Sequence, residues 1–200
     1  MPNLMLTRRA ALLGAAALGL GAALPTGARA ATAAQAESLV RNLVAEINRV
    51  IASGKSVSSM IRDFEGIFRR YADLPTIAAY ALGADGRRAS AAQKKAFTDA
   101  FSGYIARKYG KRFHEFIGGR LEVTGSRPIR NAFEVVTTAY LRGEAPFEVS
   151  FHIGQNSGRM FNMFIEGVNM LLTERSEIGA LLDRNRGDID AMIAQLRKTG

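Results

Sequence analysis

The chain has no cysteine and no tryptophan, and two of its 200 residues are histidine. Without thiols there are no disulfides, thiolate nucleophiles, iron–sulfur clusters or Cys-based zinc sites. The acylated cysteine of a bacterial lipoprotein is excluded too. His114 and His152 are too few for a His-rich metal centre. There is no Walker-type phosphate loop and no dinucleotide fingerprint. Acids are in the minority: 18 Asp and Glu face 27 Lys and Arg, for a formal charge of +9. No nucleic-acid recognition motif accompanies that charge.

What is present is apolar: 48 % of the residues, enough to bury one core and to argue against disorder. Residues 1–30 have the three parts of a secretory signal. Arg8 and Arg9 form a basic start, Ala10 to Leu24 an apolar run, and Ala28-Arg29-Ala30 an A-x-A cleavage site. The apolar run is shorter than the ~20 residues that cross a bilayer as a helix. "TRRAALL" is compatible with twin-arginine export, with Ala11 where that pattern prefers Phe, so Sec and twin-arginine routes both stay open. Two segments result: a cleaved signal peptide at 1–30 and a working domain at 31–200 in the periplasm. Loss of Arg8, Arg9 and Arg29 lowers the charge from +9 to +6.

The domain reads as helices, then strands, then helices. Leu39, Leu43, Ile47, Val50 and Ile51 recur at helical spacing over 33–52, and Gly54 follows. A second stripe over 57–72 carries Met60, Phe64, Ile67, Phe68 and Tyr71. "DLPTIAAYALG" predicts a short helix capped by Asp73. Ser90 and Gln93 form a capping box opening a long helix with Phe97, Phe101, Tyr104, Ile105 and Tyr109 on one face, up to Gly110. The period then falls to two in "RLEVTG", "AFEVVTTAYL", "PFEVSFHI" and "MFNMFI". Their short connections require antiparallel pairing. Two further helices follow, one ending near Gly187 and one capped by Asp188. The expected fold class is α+β, with an antiparallel sheet of about four strands, helices on one face, and an apolar cavity between them.

"YADLPTIAAYALG" followed by "SAAQKKAFTDAFSGYIARKYGKRF", and then "FNMFIEGVNMLLTERSEI", resemble MlaC-type periplasmic phospholipid-binding proteins, also called toluene-tolerance proteins. Glu166-Gly167-Val168 and Arg175-Ser176 match that family's strand-to-helix step. Phe161-Asn162, Asn169 and Glu174 stand where the family tends to have Tyr-Asp, Ser and Tyr. A hopanoid-associated branch of the family stays open. The resemblance implies a carrier, not an enzyme, that holds acyl chains in a cavity and needs no cofactor. Its implied partners are a phospholipid, an inner-membrane ABC transporter with a lipid-binding ring, an outer-membrane lipoprotein–porin complex, and transient membrane contact. Implied roles are lipid transport and outer-membrane lipid asymmetry.

The lining expected from the sheet is Val135, Val149, Phe151, Phe161, Met163 and Ile165. From the helices it is Phe64, Phe68, Tyr71, Ile77, Phe97, Phe101 and Ile105. Glu166 is expected at the strand end, facing outward and pairing with backbone amides or with Arg175. Gly167 would permit a bulge or bend there. His152 falls on the polar side of its strand, as a solvated residue. Arg107, Lys108, Lys111 and Arg112 read either as a solvated face or as a surface for phosphate headgroups or an acidic partner. Two other readings remain: a lipid or other hydrophobic molecule of the hopanoid kind as ligand, and a cone-shaped isomerase-like enzyme using Asp63, Asp73, Glu115 or tyrosines. A filled-core adaptor protein is a further alternative.

Overall fold

The computed structural model describes residues 31–111 and 115–200. The expected signal peptide, Arg112 and His114 lie outside the described residues. Thr32 opens α1 (Ala33–Ile51) with a capping box to Gln35. Ser56 caps α2 (Val57–Tyr71), and Asp73 caps α3 (Leu74–Leu82), with Pro75 in its first turn. The Ser90–Gln93 capping box opens α4 (Ala91–Gly110). These side chains occupy backbone N–H groups that a helix start otherwise leaves unpaired.

The sheet is a five-stranded antiparallel meander: β1 (Arg120–Ile129), β2 (Ala132–Tyr140), β3 (Phe147–Gly154), β4 (Met160–Ile165) and β5 (Val168–Asn169). The extra strand is two residues long and leads straight into α5 (Met170–Arg184), with α6 (Ile189–Leu196) after it. Alternation holds along β3, where Val149, Phe151 and Ile153 are buried towards the helices. α1 lies across β1 and β2, while α3 and α5 meet β4. A parallel bridge between Ala72 and Met160, with Asp73 N–H donating to the Met160 carbonyl at 2.7 Å, ties the α2–α3 junction to β4.

Glu166 and Gly167 form the two-residue loop of the β4–β5 hairpin, because Ile165 pairs with Val168. Both have positive φ, 49° and 78°, as a type I′ hairpin turn requires. Of the bulge or bend expected at Gly167, the structure has the bend, as a tight turn. Arg175 does not pair with Glu166. Its guanidinium lies over the Tyr80 ring, 5.1 Å from the centroid, because helix α5 carries it towards α3. The Glu166 N–H donates to the Glu148 carbonyl at 3.0 Å, so the backbone holds this corner.

Gly110 has a packing role. A Cβ there would stand 2.8 Å from Ile61 Cγ1, so its lack of a side chain lets α2 and α4 approach closely.

Candidate apolar cavity

A cavity of about 310 Å³ lies between the inner face of β3–β4 and helices α1 to α5. That is the lower end of the ~300–1,000 Å³ range of ligand pockets. Val149 faces Ile165 and Phe151 faces Met163 across the β3–β4 ladder, and all four line the cavity. Val149 and Phe151 are buried, whereas Met163 and Ile165, on the same face, are half-buried. A filled core would seal the second pair as it seals the first. Phe64, Phe68, Ile77, Phe101 and Ile105 close the helical side, and Phe161 lines the wall at a register shift in β4. Phe64 and Phe68 stack 6.3 Å apart. Glu144 and Glu166 line the cavity yet are exposed, which marks its mouth.

Three residues expected in the lining are elsewhere. Val135 is sealed beneath α1, which crosses β2. Phe97 is buried in the helical layer against Phe101, 5.6 Å between rings. Tyr71 turns its hydroxyl to Glu46, donating at 2.8 Å, which draws the ring off the void. Burial raises the Tyr71 pKa, and the hydrogen bond to the Glu46 carboxylate adds to it. Lining residues absent from the sequence-based set include Leu43, Ile47 and Ile67. They stand on the α1 and α2 stripes already visible in the sequence.

The sequence-based set also lacks Glu174. It is 3 % exposed and lines the cavity. Its Oε1 accepts from Lys108 Nζ at 2.7 Å and from the Tyr109 hydroxyl. Lys108 also donates to Glu177 Oε2 at 2.7 Å, as does the Tyr104 hydroxyl at 2.7 Å. The Lys108 ammonium lies over the rings of Tyr104 and Tyr109, 5.5 and 5.4 Å from their centroids. Burial raises the Tyr104 pKa strongly, and its bond to Glu177 reinforces this. The spacing Leu171, Glu174, Ile178 carries the signal: the acid occupies a position of the buried stripe.

The described members of the basic cluster have partners within the chain. Arg107 donates to the Thr199 and Leu196 carbonyls at 2.9 Å each, Lys108 to the two glutamates, and Lys111 to the Gly200 carbonyl. These bonds fasten α4 to α5 and to the end of the chain; Arg107 and Lys108 are half-buried, whereas Lys111 is exposed. His152 is also no free surface residue. Its side chain is 16 % exposed, with the Phe164 ring 4.7 Å away, Phe161 5.9 Å away and Glu134 at 3.5 Å. Phe164, on the outer face of β3–β4, covers it.

Among the described residues, no group of His, Asp and Glu is placed to hold a metal ion. No helix there is long and apolar enough to cross a membrane. Asp63 is paired with Lys55 at 2.6 Å and Asp73 is spent on its helix cap, so neither reaches the cavity as an acid–base partner. A phospholipid-binding protein from Ralstonia solanacearum, solved in complex with a phospholipid, matches the fold with a TM-score of 0.69. The two chains are 16 % identical over 82 % of this one and 95 % of that one. The model of the family described as MlaC protein matches residues 25–198, and the chain therefore belongs to the MlaC family.

Proposed function

We propose that this protein is a periplasmic phospholipid carrier, which covers acyl chains in the cavity and leaves the headgroup at the mouth. The supporting observation is the half-buried, wholly apolar face formed by Phe161, Met163 and Ile165 opposite Phe64 and Phe68. At ~0.8 kcal/mol per methylene, exposing the ~30 methylenes of a diacyl lipid costs about 20–25 kcal/mol. Free lipid therefore does not cross water at a useful rate, and a carrier must cover the tails. This task requires an apolar wall that adapts to chain length, which Met163, Met160 and Met170 suit. It requires no catalytic group.

In this reading residues 1–30 are removed on export, and the mature chain passes lipid between an inner-membrane ABC transporter with a lipid-binding ring and an outer-membrane lipoprotein–porin complex. Val168 and Leu172 are exposed apolar side chains close in sequence to the mouth residue Glu166 and the lining residue Met170, which suits transient contact with a membrane or a membrane protein. The test is mass spectrometry of the organic extract of purified mature protein. Stoichiometric phospholipid is expected, and protein free of lipid that also takes up none from vesicles would refute the proposal.

A further inference from the structure

Glu174 has one oxygen fully engaged and one idle. Oε1 takes hydrogen bonds from Lys108 and Tyr109, while Oε2 is buried and meets no hydrogen-bond partner among the described residues. The surplus is built into the cluster. Two carboxylates, Glu174 and Glu177, share the single Lys108 ammonium, and the two tyrosine hydroxyls are spent on Glu177 and Glu174. A buried acceptor without a donor is costly, and a carboxylate more so than a carbonyl. The same side chain lines a cavity whose other walls are nearly all Phe, Ile, Leu and Met. A ligand made of hydrocarbon alone would leave Oε2 unpaired.

We infer that Glu174 is a polar recognition point inside the cavity, selecting lipids that carry a hydroxyl group in their buried portion. A hydroxyl is the neutral group that fits. It donates to a carboxylate, and it accepts if that carboxyl carries a proton. An ammonium would pay far more to leave water. The inference rests on the carrier reading and refines it by naming the ligand class.

The test is competition for a bound fluorescent fatty acid. The competitors are methyl octadecanoate and three positional isomers of its monohydroxy derivative, hydroxylated near the ester, in mid-chain or close to the methyl end. One hydroxylated isomer should compete about tenfold better than the parent, as one net hydrogen bond to a charged group allows. In Glu174→Met the advantage of the hydroxylated ester over the parent, compared within the variant, should shrink to within about twofold. Difference infrared spectroscopy of the wild type adds a readout that needs no variant. The hydroxylated isomer should shift a carboxylate band that the parent leaves in place. Equal competition by all the esters, an advantage that survives in Glu174→Met, or an unmoved carboxylate band overturns the inference and leaves the carrier reading intact. Failure of the protein to bind the fluorescent fatty acid and to take up phospholipid from vesicles removes both.

Discussion

The side-chain amide of Asn162 donates to Oδ1 of Asn169 at 3.0 Å, joining strand β4 to the cap of helix α5. Asn169 Oδ1 also accepts from the Leu172 N–H at 3.0 Å, and Asn162 Oδ1 from the buried Leu171 N–H at 3.1 Å. Two asparagines thereby satisfy the first turn of α5 and set the angle at which Leu171 and Glu174 reach the cavity. Asn162→Ala leaves the Leu171 N–H unpaired and should cost about 1–3 kcal/mol, read from urea denaturation. Asn169→Ala removes a helix cap and should cost about 1 kcal/mol. Because the two share a hydrogen bond, the double variant should lose less than the sum.

The turn at Glu166 and Gly167 offers a stabilising change. Glu166 sits at φ 49°, where asparagine and glycine are favoured and glutamate is not. Glu166→Asn should raise stability by about 0.5–1 kcal/mol, whereas Gly167→Ala, at φ 78°, should lower it by about 1 kcal/mol. Thermal melts of the two variants should move in opposite directions.

At the α2–α4 contact, Gly110→Ala pushes a methyl group into Ile61. A loss of about 1–3 kcal/mol is expected, the range for overpacking a close helix contact. Adding Ile61→Ala removes Cγ1, the atom the new methyl would strike, so the double variant should lose less than the sum of the two single losses. A pair of additive losses would show that the helices do not meet there.

Acid should loosen the junction of α4 and α5. Burial pushes the Glu177 pKa up, but hydrogen bonds from Lys108 and Tyr104 and the Lys108 charge outweigh it, so the folded value lies below the ordinary 4.5. A depressed carboxylate stabilises the fold fully above its unfolded pKa, and that contribution fades as the pH drops through the folded one. Urea midpoints measured from about pH 6 down to about pH 3 should fall, and fall less steeply in Glu177→Gln.

Filling the cavity should separate binding from stability. Ile105→Trp places bulk in the void and should cut co-purified lipid several-fold while the protein stays folded. Tyr71→Phe removes only the bond to Glu46, away from the cavity, and should leave lipid content unchanged at a cost of about 1 kcal/mol. Equal lipid content in both would detach the cavity from lipid binding.

The periodicities locate helices, strands and most of the lining, because burial of an apolar stripe is a local property of sequence. The misses share a cause. Val135, Phe97 and Tyr71 lie on the right stripes, but whether a stripe meets a helix, another aromatic or a void depends on elements far away in the chain. Arg107, Lys108 and Lys111 read as surface cations because their carbonyl and carboxylate partners lie about 70–90 residues further on. Glu174 was hidden by its chemistry: an acid on a buried stripe counts against burial unless the lysine that meets it is known. The Glu166–Gly167 turn was half legible, since the glycine signals a change of direction while β5 is too short to show a period.

Every strand of the meander pairs with its immediate neighbour in sequence, so the sheet can zip together by successive hairpins with little entropy lost to loop closure. The Ala72–Met160 bridge, by contrast, joins segments almost ninety positions apart. The void thus comes into existence late in folding, when a helical lid made by the first half of the chain settles on a sheet made by the second.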